Sequence, residues 1–221
     1  MRIAGIPRNP EHSPNMSDKD MLLLREISEK LREKGLYDNT VIIYTSDHGC
    51  HFKTRNLEYK RSCHESSIHT PLVIGGGAFK RGTVDDRLVS LIDLPPTMLD
   101  LAEIYIPSFF SGISILEQEE KGTKRDNVFI QISESQVGRA IRTEKYKYSI
   151  RALGNGLTKA NSKVYYEDYL YDLENDPYEK MNLANDKNFK EIRKSSMNCF
   201  NKSISKTFCS YSEGYIVKNK A

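Results

Sequence analysis

The segment from Val41 to Gly49 constrains the fold of this chain more than any other feature. It begins Val-Ile-Ile-Tyr-Thr, a run of β-branched and aromatic residues, and it ends Ser-Asp-His-Gly. Such a run predicts a buried strand. In open α/β sheets, binding and catalytic residues lie at the carboxyl ends of the strands. Asp47 and His48 offer an oxygen and a nitrogen, which could form half of a divalent-metal site. The alternative is that Asp47 only caps the turn while His48 packs nearby.

A helix is predicted before this strand, and a second strand after it. Ser17 is a candidate N-cap with Asp20 three residues later, apolar residues recur at helical spacing from Leu24 to Leu31, and Gly35 ends the pattern. Another short apolar run, Pro71–Ile74, predicts the second buried strand. A helix leading into a strand is one step of a wound α/β sheet, so the leucines are expected in the core.

A basic loop separates the two predicted strands. Lysine supplies a mobile point charge and arginine a two-pronged donor for sulfate or phosphate oxygens, so such a loop suits an anionic substrate. The alternative is solvated surface for the lysines and arginines, and packed turn positions for the histidines. Glu65 is expected to tether the loop through backbone amides or an arginine. The loop's basic and imidazole residues are His51, Lys53, Arg55, Lys60, Arg61 and His64.

Several ordered segments resemble the sulfatase family, within the alkaline-phosphatase-like superfamily. The resemblance begins with Asn39–Gly49 and the pattern Lys60-x4-Glu65-x5-Pro71-Leu-Val-Ile, and it spans Ser17 to Ala184. It continues through Leu91–Ala102, Gly138–Tyr148 and Leu170–Ala184.

The resemblance implies an α/β chain in two parts. Residues 17–116 would form the C-terminal portion of the sulfatase α/β domain, part of an alkaline-phosphatase-like wound sheet. A small α+β subdomain with an antiparallel sheet would follow at 124–221. Residues 1–16 are read as a loosely held lead-in and 104–123 as a linker. Alternating patterns predict strands in the small subdomain at Val128–Ile132, Gly138–Arg142, Tyr146–Ile150 and Tyr169–Tyr171, with a helix over Lys187–Lys206.

The resemblance also implies a site. Sulfatases hydrolyse sulfuric esters or sulfamates with a formylglycine nucleophile next to a divalent ion, usually calcium, and their substrates are sulfated small molecules or glycans. Asp47 and His48 would bind the metal, and Lys60 with His48 would act in catalysis. Lys60, His51 and His64 would bind the substrate. Calcium prefers oxygen ligands, so a histidine at position 48, where many sulfatases have asparagine, leaves the metal identity open.

Two family features are absent from these 221 residues. None of the four cysteines begins the Cys-x-Pro/Ala-x-Arg motif that yields formylglycine, and no Asp-Asp pair precedes Val41. The chain therefore resembles the C-terminal part of a sulfatase, and we expect it to be inactive alone. Asp47 would be its one ionised oxygen ligand, so calcium binding is expected to be weak or absent.

Two other readings remain open. The chain could be a truncated, non-catalytic module or a subunit that completes a site with a partner chain carrying the nucleophile. It could also be a phosphodiesterase-type member of the same superfamily, although the Lys60 segment and the motif Tyr171–Tyr178 argue against that.

The amino-acid composition limits the classes of partner that this chain is expected to bind. With 33 basic and 30 acidic residues the net charge is +3, too small to indicate a nucleic-acid partner. No apolar run approaches the roughly 20 residues that cross a membrane. Met1–Pro7 lacks the apolar stretch of a secretory signal, so a cytoplasmic location is the default expectation.

Further polar and aromatic residues are assigned to structure. Asp93 is expected to cap a helix beginning near Pro95. Aromatic residues recur along the late strands and are expected in the core, with a sugar-stacking platform as the alternative. The cysteines are expected to be free thiols because they are few and unevenly spaced. These tyrosines are Tyr146, Tyr148, Tyr165, Tyr166, Tyr169 and Tyr171, and the cysteines are Cys50, Cys63, Cys199 and Cys209.

Overall fold

The computed structural model describes residues 2–4, 17–77, 79, 82–120, 122, 124–154, 156–207 and 216–218. The chain divides into two compact units. The first comprises residues 1–49 and 69–124, and the second comprises residues 50–68 and 125–221. The basic loop therefore groups with the C-terminal residues, which the sequence did not indicate. Of the lead-in predicted over 1–16, only Arg2–Ala4 is described, and it forms a strand.

A mixed four-stranded sheet organises the first unit. Its strands are β1 (Arg2–Ala4), β2 (Ile42–Thr45), β3 (Pro71–Gly75) and β4 (Val84–Asp85), in the order β2-β3-β1-β4. Strand β1 runs parallel to β3, whereas β2 and β4 are antiparallel to their neighbours. The two strands predicted from the apolar runs are therefore present and adjacent.

The predicted first helix is confirmed as α1 (Asp18–Glu33). The Ser17 side chain accepts a hydrogen bond from the backbone N–H of Asp20 at 3.3 Å, as expected of an N-cap. Leu24 is buried and packs with Val73 of β3. Gly35 follows with a φ of +67°, a left-handed conformation that glycine adopts without steric cost.

The predicted capping role of Asp93 is present, but in a capping box with Ser90 on the turn that leads into the next helix and not on that helix itself. A 3₁₀ turn, Leu91–Asp93, leads into α3 (Leu94–Leu101), but the Asp93 side chain makes no capping hydrogen bond to α3. The carboxylate accepts instead from the backbone N–H groups of Ser90 at 2.8 Å and Ile113 at 2.9 Å. Asp93 is fully buried, so it joins two chain segments inside the unit.

The predicted linker over 104–123 also contains more structure than expected. A short helix, α4 (Ile115–Glu120), forms there. The hydroxyl of Thr97 accepts from the backbone N–H of Ile115 at 2.9 Å, and the buried Ile115 side chain packs into the core with Leu72 and Leu94. Tertiary contacts thus order a segment whose proline and glycine content favoured a loop.

A five-stranded sheet organises the second unit. Strands β5 (Val128–Glu134), β6 (Gln136–Arg142), β7 (Tyr146–Arg151) and β8 (Val164–Asp172) are antiparallel in sequence order, and β9 (Ile216–Lys218) pairs parallel to β8. All four predicted strands are therefore confirmed. The unit also contains the single-turn helix α2 (Glu65–Ile68), the 3₁₀ turn Lys187–Phe189 and the long helix α5 (Lys190–Thr207).

Helix α5 packs on this sheet through Phe200, which is fully buried in the core cluster of the unit. Tyr148 and Tyr165 are also fully buried, and Tyr169 and Tyr171 are nearly so, which confirms these tyrosines as core residues. Tyr146 and Tyr166 are half-buried.

The cysteines and the apolar character of the helices can be compared with the predictions for the described residues. Cys50, Cys63 and Cys199 are free thiols, as predicted, while Cys209 lies outside the described part of the chain. Within the described ranges, no helix has the length and apolar character needed to cross a membrane.

Candidate functional site

Asp47 and His48 lie on the turn that directly follows β2. The Asp47 carboxylate accepts from the His48 backbone N–H at 3.0 Å and from the Ser46 hydroxyl at 3.3 Å. Its other oxygen lies 3.3 Å from Nε2 of His48, and the Asp47 side chain is 82% exposed. The strand end therefore presents a carboxylate and an imidazole side by side at the surface of the first unit.

The hydrogen bonds of His48 define its tautomer. Nδ1 lies 2.9 Å from the carbonyl oxygen of Gly49, which can only accept, so Nδ1 carries a proton. In the neutral ring Nε2 then carries a lone pair, the arrangement found in metal-binding histidines. Desolvation would raise the pKa of Asp47, but the N–H and charge of His48 hold that pKa below its usual value.

Lys60 belongs to the second unit and is exposed on the basic loop. Two backbone hydrogen bonds hold this part of the loop. The Tyr59 carbonyl oxygen accepts from the His51 N–H, and the Lys60 carbonyl oxygen accepts from the Ser62 N–H, both at 2.8 Å. Lys53, on the same loop, places its ammonium 4.9 Å from the centre of the Tyr59 ring.

The two arginines of the loop serve as anchors. Arg61 pairs with Glu58 at 2.8 Å and with Glu134 of β5 at 2.6 Å. Arg55 donates from its two terminal nitrogens to the carbonyl oxygens of Glu179 at 2.8 Å and Tyr178 at 2.6 Å. Both side chains thus tie the loop to the rest of the second unit, a use that their positions in the sequence did not indicate.

His51 and His64 are buried in the second unit. His51 is 2% exposed, and neither of its ring nitrogens has a hydrogen-bond partner among the described residues. His64 is 9% exposed, and its Nε2 lies 3.4 Å from the hydroxyl of Tyr171. The ring of His64 also packs against Tyr169, with 4.7 Å between the ring centres. Their predicted role in substrate binding stays a prediction.

Glu65 begins α2 and joins a buried ion cluster. Its carboxylate lies 3.0 Å from the ammonium of Lys147 and 3.6 Å from Nε of Arg142. Lys147 is fully buried and also pairs with Glu179, whose other oxygen accepts from the Glu65 backbone N–H at 2.9 Å. Glu65 therefore tethers the loop, as the sequence predicted. Lys147 and Glu179 were missed, because a lysine within a strand usually faces solvent.

The charges of this cluster and its surroundings act on His64. Burial, together with the positive charges of Arg55, Lys147 and His51, lowers the pKa of His64 from 6.5 to about 3. His64 is therefore neutral at physiological pH. Burial also raises the pKa of the neighbouring Cys63 to about 12, so this cysteine stays a thiol.

Acidification is expected to destabilise the second unit through His64. A folded-state pKa of about 3 against 6.5 in the unfolded chain means that the unfolded chain binds the proton more readily. The contribution of His64 is therefore complete above pH 6.5 and is lost as the pH falls toward 3. Between neutral and mildly acidic pH, we expect the free energy of unfolding of the parent protein to fall by about 2 kcal/mol more than that of the His64→Gln variant. Urea unfolding at a series of pH values measures it, and identical pH profiles for both proteins would contradict it.

The described side chains offer few ligands for a metal ion. Within the described ranges, no group of three or more His, Cys, Asp or Glu residues could hold a metal ion. Asp47 and His48 provide two ligands, whereas calcium takes six to eight and magnesium six. The described residues therefore do not fit a complete divalent-metal site.

Comparisons with known proteins identify the family to which the chain belongs. The family described as "N-sulphoglucosamine sulphohydrolase, C-terminal" matches residues 55–206. Arylsulfatase K of Bos taurus is 32% identical to the chain over 174 residues, covering 73% of the chain and 31% of the bovine protein. The chain thus spans about a third of the length of this relative. It belongs to the sulfatase family and corresponds to the family's C-terminal part.

Solved structures show the same fold. The structure of a 2-O GAG sulfatase matches with a TM-score of 0.71 and 24% identity, over 87% of this chain and 42% of that protein. Another, in complex with its substrate D-glucosamine-2-N,6-O-disulfate, matches with a TM-score of 0.69 and 22% identity, over 86% of this chain and 39% of that protein. The predicted class, a portion of the alkaline-phosphatase-like α/β fold with an antiparallel C-terminal sheet, is confirmed.

Proposed function

We propose that this chain supplies the C-terminal part of an active site that hydrolyses sulfuric esters or sulfamates. The observation that carries the proposal is the Asp47–His48 pair at the end of β2, in a chain that belongs to the sulfatase family. The nucleophile would come from sequence outside these 221 residues, either in a longer form of the protein or in a partner chain.

We propose that Asp47 and His48 supply two ligands of a cation whose other ligands come from outside the described residues. A carboxylate oxygen and the Nε2 nitrogen lie 3.3 Å apart, and both present lone pairs when the ring is neutral. Two adjacent acceptors repel each other unless a proton or a metal ion lies between them. A divalent ion bound there would act as a Lewis acid toward a sulfate oxygen. Because further ligands are needed, we assign no reaction step to the ion.

Lys60 is proposed to bind the sulfate group. The residue is exposed, and a positive charge near the sulfate oxygens would offset negative charge that develops as the ester bond breaks. Arg55 and Arg61 are held by carbonyl and carboxylate oxygens of the second unit. Among the loop's cations, Lys60 therefore combines the position expected from the family pattern with exposure to solvent.

The proposed substrate is a sulfated glycan. The structural relative solved with D-glucosamine-2-N,6-O-disulfate as its substrate supports a sulfated sugar. The similarity to arylsulfatase K supports a sulfate ester more generally. The chain's small net charge of +3 is consistent with selective recognition by placed side chains rather than by a broad basic surface.

The isolated chain is expected to show no sulfatase turnover. It has no Cys-x-Pro/Ala-x-Arg motif, and positioned binding groups cannot replace a covalent nucleophile. The test is hydrolysis of an aryl sulfate by the purified chain, with and without calcium, next to Lys60→Ala. Turnover by the parent that disappears in Lys60→Ala would overturn the view that the nucleophile lies elsewhere.

A further inference from the structure

Side chains close the part of the basic loop that carries Lys60. Asn56 donates from Nδ2 to the carbonyl oxygen of Arg61 at 2.9 Å, and its Oδ1 accepts from the backbone N–H of Glu58 at 2.8 Å. The Arg61 guanidinium in turn donates to the Glu58 carboxylate at 2.8 Å. Lys60 lies within the stretch that these contacts close, so its backbone is constrained from both sides.

The turn between β5 and β6 holds the same stretch from outside. Glu134, at the end of β5, accepts from a terminal nitrogen of Arg61 at 2.6 Å. Gln136, at the start of β6, donates from Nε2 to the Arg61 carbonyl oxygen. Hydrogen bonds from Arg61 and from the Ser135 side chain lower the pKa of the Glu58 carboxyl. All three residues of the turn therefore contact the loop.

The conformation of this turn is fixed by its own surroundings. Ser135 has a φ of +65°, a left-handed conformation that is uncommon for residues other than glycine. The backbone N–H of Gly156 donates to the Ser135 carbonyl oxygen at 3.2 Å, and a Cβ at Gly156 would overlap the backbone nitrogen of Gln136. Strained residues persist where the surrounding structure over-determines them, and they cluster at functional sites. The turn is therefore a well-defined support for the loop.

The ion pairs of Arg61 contribute little to folding. The side chains of Arg61, Glu58 and Glu134 are 31%, 34% and 67% exposed. Ion pairs as exposed as these are screened by water and salt and add little stability. Two carboxylates on one guanidinium nevertheless fix its direction, because the donors of arginine form a planar, rigid fork. These contacts restrict geometry more than they stabilise the unit.

We propose that Arg61 is a positioning residue, held by the β5–β6 turn, that fixes the backbone from which Lys60 projects its ammonium. Lysine has a flexible four-carbon stem, so an anion that binds it must order the side chain. If the backbone is ordered beforehand, that part of the entropic cost is removed and binding is stronger. The sulfate contact of Lys60 rests on the proposed function, whereas the ordering of its backbone does not.

Nitrogen-15 NMR relaxation of the full chain measures the backbone order at Lys60. We expect an order parameter near about 0.85 in the parent and below about 0.6 in Arg61→Met. Arg61→Lys keeps a positive charge between the two carboxylates and should restore part of the order. Arg151→Met is the matched control, because it removes another partly exposed arginine ion pair, with Asp168, from the same unit. It should leave the order at Lys60 unchanged.

A titration with 4-nitrophenyl sulfate, followed by NMR chemical shifts, connects this order to the proposed function. We expect Lys60→Ala to remove the binding and Arg61→Met to weaken it by about tenfold. Arg61→Lys should recover part of the affinity, and Arg151→Met should leave the affinity unchanged.

Three outcomes would overturn the positioning role. They are a mobile Lys60 backbone in the parent, an order that Arg61→Met leaves unchanged, and ester binding that needs Lys60 but is indifferent to Arg61→Met. Ester binding that Lys60→Ala leaves intact would instead remove Lys60 from the proposed function. The relaxation measurements would then still decide whether Arg61 orders the Lys60 backbone, so the two failures are distinguishable.

Discussion

Replacing Lys147 with methionine is expected to lower the free energy of unfolding by about 3–5 kcal/mol, because it leaves buried carboxylates without their counter-charge. Lys147 is fully buried, and it contacts Glu179, which is 2% exposed, and Glu65, which is 17% exposed. Methionine fills much of the same volume, so the effect isolates the charge rather than the packing. Denaturant unfolding followed by circular dichroism measures the change.

The matched control is Lys145→Met on the adjoining turn. Lys145 pairs with Glu174, but both side chains are largely exposed, so its loss should change stability by less than about 1 kcal/mol. Adding Glu179→Gln to Lys147→Met should recover part of the loss, since a neutral amide is cheaper to bury than an unpaired carboxylate. Equal effects of Lys147→Met and Lys145→Met would contradict the buried ion cluster.

Replacing Asp93 with alanine is the second large expected effect, a loss of about 2–4 kcal/mol. The carboxylate is fully buried and satisfies the backbone N–H groups of Ser90 and Ile113. Asp93→Asn keeps one acceptor oxygen and should lose about half as much. The exposed Asp38→Ala is the control, and thermal unfolding is the measurement. A melting temperature for Asp93→Ala equal to that of Asp38→Ala would contradict the role of Asp93 as a link between segments.

Elements defined by local patterns could be predicted from the sequence. The strand at Ile42–Thr45 and the helix from Asp18 follow from apolar periodicity, a serine cap and a terminating Gly35. The antiparallel strands β5 to β8 follow from alternation of apolar and polar residues. In each case the information lies within a few residues of the element that it determines.

Features that depend on distant partners could not be predicted in this way. The carboxylate of Asp93 also accepts from the backbone N–H of Ile113, 20 residues later, a contact that its local position as a cap does not indicate. Helix α4 forms because Ile115 packs beside α3 and bonds to Thr97. The turn-forming residues around it indicate only the absence of a long element.

The candidate site also contains features that neighbouring residues determine and features that distant residues determine. The position of Asp47 and His48 at a strand end could be predicted because the strand and its final residues are contiguous in sequence. Arg55 could not be assigned to carbonyl oxygens of Tyr178 and Glu179, which lie more than 100 residues away. His51 is almost fully buried, as expected from the packed turn position that the sequence offered as the alternative to substrate contact, and its role in substrate binding stays a prediction.

The central claim is that this chain carries a competent C-terminal part of a sulfatase site, and a chimera tests it most directly. The N-terminal part of bovine arylsulfatase K would be joined to the whole of this chain, so that β1 (Arg2–Ala4) keeps its place between β3 and β4. We expect the chimera to hydrolyse an aryl sulfate, Lys60→Ala to reduce the rate by about a hundredfold, and Lys53→Ala to leave it nearly unchanged. A chimera that folds cooperatively but does not hydrolyse the ester, or whose activity is indifferent to Lys60→Ala, would contradict the claim.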